Sequence, residues 1–155
     1  KALKIKIISI GNKSPEWAQE SIQNYTSRLN NYFQIDWIQI KVEKKFSNKK
    51  IKKDVEAKNI QNHITNHFVI CLDESGIQNT SKKLAENLTK WKETYTSIAF
   101  IIGGSDGLSN KILELSDFNL CLSSMTLPHQ LVKIILIEQI YRANSININH
   151  PYHRE

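Results

Sequence analysis

The sequence predicts an α/β fold with a mostly parallel sheet flanked by helices, in a single domain over residues 1–155. Two observations support this prediction. Strand and helix patterns alternate along the whole chain, which is the order expected when helices connect parallel strands. The run from His67 to Leu72 is apolar nearly throughout, which is typical of a strand buried on both faces. A chain of 155 residues can bury one hydrophobic core without metals or disulfides.

The individual elements follow from apolar periodicity and capping residues. Strands are predicted at residues 4–10, 33–42, 67–72, 97–102 and 118–122. The second strand alternates polar and apolar residues and is therefore expected at an edge of the sheet. Helices are predicted at about 15–29, 48–63, 81–93, 110–115 and 131–142. Ser14 is expected to cap the first helix, with Pro15 at its first position. In the second helix, Ile51, Val55 and Ile60 are expected to face the core.

The last predicted helix is apolar around most of its circumference. Its only polar residues are Lys133, Glu138, Gln139 and Arg142. Such a helix must be buried on more than one side. The sheet covers one side, and a second copy of the chain is the natural cover for another, so we expect a homodimer with this helix near the interface.

The composition is that of an ordinary soluble globular protein, 40% hydrophobic and 23% charged. No apolar stretch is long enough to cross a bilayer, and the first residues are too short and too alternating for a signal peptide. Cys71 and Cys121 lie inside apolar runs and are expected to be buried reduced thiols, which fits a cytoplasmic protein. No Cys/His spacing indicates a metal site.

Positive charge is concentrated in one segment. The chain has a formal net charge of +6, and eight lysines lie between Lys41 and Lys58, against Glu43, Asp54 and Glu56. A like-charged cluster of this kind attracts polyphosphate, and lysines near phosphates position a nucleic acid without reading its sequence. The alternative is a solvated helix face with no partner.

Two loops follow neighbouring apolar strands and are candidates for a ligand site. The glycine turn, residues 103–107, has neither dinucleotide-binding nor Walker spacing, and a glycine pair is often only a turn. The second loop runs from Ser123 to His129. Its hydroxyls and backbone suit the edge of an adenine, and Met125 and Leu127 suit its faces. Pro128 is expected to start the final helix; simple N-capping by Thr126 is the alternative for part of this pattern.

The C-terminal tail carries two titratable rings, an aromatic ring and a cation within five residues: His150, His153, Tyr152 and Arg154. This combination suits a nucleobase ligand, for which stacking and charge stabilisation are both needed. The alternative is a tail that is merely solvated. A hydrolase is poorly supported, because the chain has no G-x-S-x-G motif and no carboxylate pair in the loops.

These motifs resemble the ribosomal RNA methyltransferase H group of the SPOUT superfamily, which methylates N3 of pseudouridine in large-subunit ribosomal RNA. The resemblance covers essentially the whole chain, and its most specific parts are the Thr126–His129 loop and the tail. It is carried by the turn at Lys13 to Trp17, by Leu72-Asp73, by Ile101 to Gly104 with Gly107 to Ser109, by Leu122 to His129, by Glu138-Gln139, by Tyr141 to Ala143, by Ser145-Ile146 and by Asn149 to Arg154.

The resemblance implies a fold, a cofactor and an assembly. It implies that the C-terminal part of the domain is tied into a deep trefoil knot, which chain statistics alone argue against. It also implies S-adenosylmethionine as cofactor, a homodimer, and a substrate that is large-subunit RNA within an assembled ribosome. The cofactor contacts that it implies are Leu72, Gly103, Gly104, Leu122, Ser123, Ser124, Met125, Thr126, Leu127 and Pro128. Asn144 departs from the family, which usually has tryptophan there.

The tail supplies the candidate catalytic residues. N3 of pseudouridine is an imide nitrogen, so its proton must leave before or during methyl transfer. His153 is the candidate base, Arg154 the candidate for stabilising developing charge or gripping a phosphate, and Tyr152 the candidate for stacking on the target. His129 and Arg142 are further candidates. Each of these residues has a purely RNA-positioning role as its alternative.

Other functions stay open at this point. A SPOUT methyltransferase that acts on another RNA base is one alternative, and a non-catalytic ribosome-binding factor is another. A nicotinamide oxidoreductase is not supported by the glycine spacing.

Overall fold

The structure is a computed structural model that describes residues 2–41, 48–104 and 106–154. Strands and helices alternate as predicted. The strands are β1 (Leu3–Ile10), β2 (Phe33–Ile40), β3 (Phe68–Gln78), β4 (Ser97–Ile102) and β5 (Phe118–Cys121). The helices are α1 (Glu16–Leu29), α2 (Lys49–Gln61), α3 (Ser81–Thr94), α4 (Asn110–Leu115) and α5 (His129–Asn147).

The five strands form one sheet in the order β2-β1-β4-β3-β5, and every neighbouring pair is parallel. The prediction of a parallel α/β sheet is therefore confirmed, and so is the edge position of β2. Because all strands run the same way, the carboxyl ends of β4, β3 and β5 lie side by side at one edge of the sheet. That edge is where ligands bind in open α/β sheets.

Helices cover both faces of the sheet. On one face, Leu29 of α1, Leu88 and Trp91 of α3 and Leu136 of α5 pack in a single cluster with β-strand residues. On the other face, Ala57 and Ile60 of α2 and Ile112 of α4 pack against Ile8, Ile10, Cys71 and Ile101. Both cysteines are buried free thiols, as predicted. Within the described ranges, no helix is both long and apolar enough to cross a membrane.

One clear difference from the predicted elements lies at β3, which continues to Gln78 instead of ending at Leu72. After Leu72 the register shifts, and Ile77 and Gln78 pair with Leu120 and Cys121 of β5. Gly76 permits this second pairing, because a Cβ at that position would lie 2.7 Å from the Asn119 backbone. The extension depends on contact with a distant strand, so local periodicity did not predict it.

Several helix ends also differ from the prediction. The N-cap of α1 is Pro15 rather than Ser14, and no side chain caps this helix. In α2, Ile60 is buried and Val55 half-buried, but Ile51 is 46% exposed, because the first turn of the helix extends beyond the core. The helix α5 is longer than predicted and spans His129–Asn147, whereas β5 is one residue shorter and ends at Cys121. The predicted end of the second strand, Val42, lies outside the described residues.

The final helix is buried on more than one side within a single chain. The prediction of a helix covered on several sides is confirmed, because α5 packs on the sheet and contacts both α1 and α3. Ser81 of α3 donates a hydrogen bond to Gln139 over 2.6 Å, and Asn147 donates one to the Ala85 carbonyl over 3.1 Å. An outer stripe stays partly exposed, with Leu131 at 38%.

Candidate functional site

A cavity of about 450 Å³ lies beyond the carboxyl ends of β3, β4 and β5. Its lining comes from residues 72–74 of β3, from the last residues of β4 and β5 with the loops that follow them, and from the first turn of α5. A volume of this size falls within the range of small-molecule sites, roughly 300–1,000 Å³. Its place at the ends of parallel strands is the usual ligand position in this fold class. The cavity is therefore the candidate ligand site.

Most of the residues that the sequence singled out for a cofactor meet at this cavity. It is lined by Leu72, Gly103, Gly104, Leu122, Ser123, Met125, Thr126 and Leu127. Ser124 and Pro128 do not line it. Pro128 is instead the N-cap of α5, and no side chain caps this helix, so the alternative of capping by Thr126 is wrong.

Three carboxylates at the cavity were not assigned from the sequence. Asp73 and Glu74 follow the apolar part of β3, and Asp106 lies in the glycine turn. Their signal was present, because a carboxylate at the carboxyl end of a parallel strand points toward the ligand edge of the sheet. The lining therefore combines apolar walls with acidic groups, which suits a ligand with both an apolar part and a positive charge.

The glycine turn is tight enough to require glycine at particular positions. A Cβ on Gly103 would lie 2.9 Å from the Gly107 carbonyl carbon and 3.1 Å from the Leu108 side chain. Gly107 has a φ of +75°, a conformation that other residues rarely adopt, and its N–H donates to the Gly104 carbonyl over 3.0 Å. Glycine at these positions lets the backbone fold close and line the cavity. Ser105, in the middle of this turn, lies outside the described residues.

The loop after β5 presents an unpacked apolar side chain to the cavity. The Met125 N–H donates to the Ser123 hydroxyl over 2.9 Å, and the Cys121 thiol contacts the Ser123 carbonyl at 3.0 Å. These two contacts fix the loop from both sides. Met125 is 77% exposed although it lines the cavity. A methionine left unpacked beside a cavity can close over a flat ligand, because its side chain is flexible and polarisable.

His129 begins α5 and lines the same cavity. Burial and then the nearby charge of Lys133 lower its pKa, and a hydrogen bond with the Gly103 backbone acts in the opposite direction. Its Nε2 atom is buried, approaches Gly11, and has no hydrogen-bond partner within the described part of the chain. The ring is therefore neutral at pH 7, and its Nε2 atom is shielded from solvent beside Gly11.

The tail is docked on the C-terminal half of α5 rather than solvated. The Tyr152 ring meets the Tyr141 ring edge-on, with 4.7 Å between the ring centroids. The Arg142 guanidinium carbon lies over the Tyr152 ring, 4.8 Å from its centroid. Arg142 is held by an ion pair with Glu138 at 3.0 Å. The alternative of a merely solvated tail is therefore wrong for Tyr152 and His153, which are half-buried, whereas His150 and Arg154 are exposed.

Arg142 also determines which ring nitrogen of His153 accepts a hydrogen bond. Its guanidinium lies 3.2 Å from the Nδ1 atom of His153. A guanidinium can only donate hydrogen bonds, so Nδ1 accepts, and the proton of the neutral ring resides on Nε2. Burial raises the pKa of Tyr152, so its phenol keeps its proton near pH 7. In this arrangement the basic atom of the tail is Nδ1 of His153, and Arg142 occupies it.

Four of the five candidate catalytic residues fall into two groups that are far apart within one chain. His129 lies at the cavity, whereas Arg142, Tyr152 and His153 form the cluster on α5. Along the helix, Arg142 lies about 20 Å from His129 at a rise of roughly 1.5 Å per residue. A single chain therefore does not bring the tail to the cavity.

Comparison with known proteins agrees with this architecture. The profile of the family described as "Predicted SPOUT methyltransferase" matches residues 3–153. The chain is 40% identical to a ribosomal RNA large subunit methyltransferase H from Nitrosomonas eutropha, over 98% of this chain and 99% of that protein. It is 41% identical to the protein of the same name from Legionella pneumophila, again over 98% and 99%.

A solved structure gives the same fold at much lower identity. The probable methylase family protein from Haemophilus influenzae superimposes with a TM-score of 0.57 at 15% identity, over 97% of this chain and 70% of that one. A likeness at this identity shows the fold alone. Together, the profile match and the full-length relatives show that the chain belongs to the SPOUT methyltransferase family, within its ribosomal RNA large subunit methyltransferase H group.

Proposed function

We propose that this protein transfers a methyl group from S-adenosylmethionine to N3 of a pseudouridine in large-subunit ribosomal RNA, within the assembled ribosome. The observation that carries the proposal is the cavity at the ends of β3, β4 and β5. Both motif loops of the ribosomal RNA methyltransferase H group, residues 103–108 and 122–129, contribute to its lining. The names of the full-length relatives support ribosomal RNA as the substrate.

The residues at the cavity suit S-adenosylmethionine. Met125 and Leu127 offer apolar contacts for the adenine, and the backbone and hydroxyls of the Ser123–Thr126 loop offer hydrogen bonds for its edge. Asp73, Glu74 and Asp106 offer negative charge for the ribose hydroxyls, the amine and the sulfonium. When bound, the cofactor supplies an electrophilic methyl group, and the protein supplies orientation and electrostatics.

The tail supplies the proton chemistry in this proposal. The Nδ1 atom of His153 takes the N3 proton when the target base replaces Arg142 as its hydrogen-bond partner. Arg154, which is exposed and cationic, stabilises the negative charge that develops on the base oxygens. Tyr152 keeps its proton and orients the base by stacking. His129 lines the cavity as a neutral ring, and Arg142 positions the tail.

A homodimer would bring these two groups of residues together. Within one chain, about 20 Å of α5 separates the tail from the cavity. The outer stripe of α5, formed by Leu131, Ile134, Ile135, Glu138 and Arg142, is apolar at the cavity end and charged at the tail end. We propose that two chains pair through this stripe, so that the tail of one reaches the cavity of the other.

Two further features belong to the proposal. We infer that the C-terminal part of the chain is tied into a deep trefoil knot; membership of the SPOUT methyltransferase family supports this inference. The proposed site of action is the cytoplasm. Two buried free thiols and a ribosomal substrate support this location.

The test is transfer of labelled methyl from S-adenosylmethionine to assembled ribosomes, isolated large subunits and protein-free ribosomal RNA in parallel. We expect label on ribosomes, and nuclease mapping should place it on a pseudouridine of the large-subunit RNA. Label on free RNA alone would refute the ribosomal context. Label on another base would indicate a related RNA methyltransferase. If the protein binds no S-adenosylmethionine at all, a non-catalytic RNA-binding factor is indicated.

A further inference from the structure

A basin of about 900 Å³ opens between the first turns of α2 and α4, beside the cavity. It is lined by four lysines, two aspartates and two neutral polar residues: Lys49, Lys50, Lys53, Lys111, Asp54, Asp106, Ser109 and Asn110. Lys52 reaches the same place through an ion pair with Asp106 at 3.6 Å. We propose that this lysine basin binds phosphates of the ribosomal RNA backbone, an inference that rests on the proposed function.

The lysines of α2 stand where cations are least favourable. Four of its first five residues are lysines, and none of the first turn is acidic. The amino-terminal end of a helix carries partial positive charge, so cations there are repelled by the helix as well as by one another. An anion bound in front of this turn would be attracted by the lysine side chains and by the helix end together. The arrangement costs stability in the free protein and favours a polyanionic partner.

The charges of the basin are only partly neutralised. Asp106 pairs with both Lys49 and Lys52, at 3.6 Å each. Within the part of the chain that the structure describes, Lys50, Lys53 and Lys111 have no ion-pair partner. These three side chains are therefore available to phosphates, whereas Lys49 and Lys52 also fix the glycine turn through Asp106.

Asp106 connects the basin to the cavity, because it lines both. An RNA strand whose phosphates rest on Lys50, Lys53 and Lys111 would pass directly beside the glycine turn. A nucleotide next to these phosphates could then reach the cavity, because the basin and the cavity are adjacent. Phosphate contacts of this kind fix register and orientation without reading sequence, which suits an enzyme whose target lies on a preformed ribosomal surface.

The test compares two triple variants of the full-length chain. The first changes Lys50, Lys53 and Lys111 to glutamine and keeps Lys49 and Lys52, which hold Asp106. The matched control changes Lys4, Lys83 and Lys90 to glutamine. Lys83 and Lys90 lie on α3, on the other face of the sheet, and Lys4 lies at the amino end of β1. Both variants lose the same net charge, so long-range attraction alone affects them equally.

Affinity for isolated large ribosomal subunits is measured by direct binding between about 50 and 200 mM salt, and KM and kcat are measured with the same subunits. We expect the first variant to bind subunits at least about tenfold more weakly than the control. The slope of the logarithm of the binding constant against the logarithm of salt concentration should be shallower by about 2, since each lost single-strand phosphate contact removes roughly 0.7 from this slope. Its KM should rise in parallel, while kcat and the Kd for S-adenosylmethionine stay within twofold.

Equal affinities and slopes for the two variants would overturn the proposal. The outcomes also separate it from the proposed function. If the protein transfers methyl groups but the two variants have equal affinities and salt slopes, the basin proposal alone is refuted. A different result would refute the proposed function and leave the basin proposal intact. In that case the wild type binds subunits in a salt-dependent way, the first variant loses this binding, and neither protein transfers methyl groups.

Discussion

The Lys133 ammonium donates a hydrogen bond to the Ser14 hydroxyl over 3.0 Å and thereby joins α5 to the loop before α1. Lys133 is only 3% exposed, and this hydroxyl is its one hydrogen-bond partner within the described ranges. Burial lowers the pKa of Lys133, and its charge contributes to the lowered pKa of His129. Ser14, predicted to cap α1, instead partners a buried cation beside the candidate site.

Replacing Lys133 by methionine should leave the protein as stable as the wild type or stabilise it by up to about 2 kcal/mol at pH 7. The substitution removes a buried charge, and the methionine side chain fills nearly the same volume as the lysine side chain. A lysine whose pKa is lowered by folding destabilises the protein, and the full penalty applies at pH values below the folded pKa. The penalty disappears as pH rises toward 10.5, the pKa of lysine in the unfolded chain. The stability difference between variant and wild type should therefore shrink at alkaline pH, in urea unfolding series. A difference that stays constant with pH would contradict the buried-charge argument.

His129 should make stability depend on pH on the acid side. Because its folded pKa lies below 6.5, its contribution is fully present above pH 6.5 and is lost as pH falls through the folded pKa. Urea unfolding between pH 5 and 8 should show this loss in the wild type and a smaller loss in His129→Gln. His63→Gln, which removes a histidine that does not line the cavity, is the matched control. Identical profiles for all three proteins would exclude His129 as the source.

The glycine turn predicts different effects at adjacent positions. Gly103→Ala places a Cβ within 2.9 Å of backbone, so the turn must shift and the cavity deform. We expect a stability loss of roughly 1–3 kcal/mol and at least about tenfold weaker binding of S-adenosylmethionine by calorimetry. In Gly104→Ala the new Cβ meets only Ile10, at 3.4 Å. This variant should bind nearly normally, and equal losses in both would contradict the steric explanation.

Tyr152 should control whether the tail stays docked. Tyr152→Ala removes the ring that packs on Tyr141 and under Arg142, and we expect faster amide hydrogen exchange at residues 149–154. Tyr152→Phe keeps both ring contacts and should exchange nearly as slowly as the wild type. Unchanged exchange in Tyr152→Ala would show that the ring does not hold the tail.

The outer stripe of α5 should determine the oligomeric state. Leu131→Arg places a charge in the proposed dimer interface, and we expect it to produce monomers in light scattering, because a desolvated unpaired charge opposes association. Leu115→Arg, on α4 and 47% exposed, is the matched control and should stay dimeric. A monomeric wild type, or a dimeric Leu131→Arg protein, would contradict pairing through this stripe.

The sequence by itself determined the elements and the approximate position of the site. Strands and helices are local patterns, and the run from His67 to Leu72 predicted a buried strand because no other placement covers both of its faces. The motif loops at Gly103 and Ser123 were predictable as a pair because each follows such a strand. Parallel strands bring their carboxyl ends to one edge, so two loops far apart in sequence meet at one cavity.

Only the tertiary structure decided which distant groups meet. The order β2-β1-β4-β3-β5, the second pairing of β3 with β5 and the exposure of Ile51 depend on packing between separate segments. The same holds for Asp106 between the basin and the cavity, for Lys133 beneath Ser14, and for the tail on Arg142. Apolar periodicity encodes which side of an element is buried, but the partner of a polar side chain is set by the folded chain as a whole.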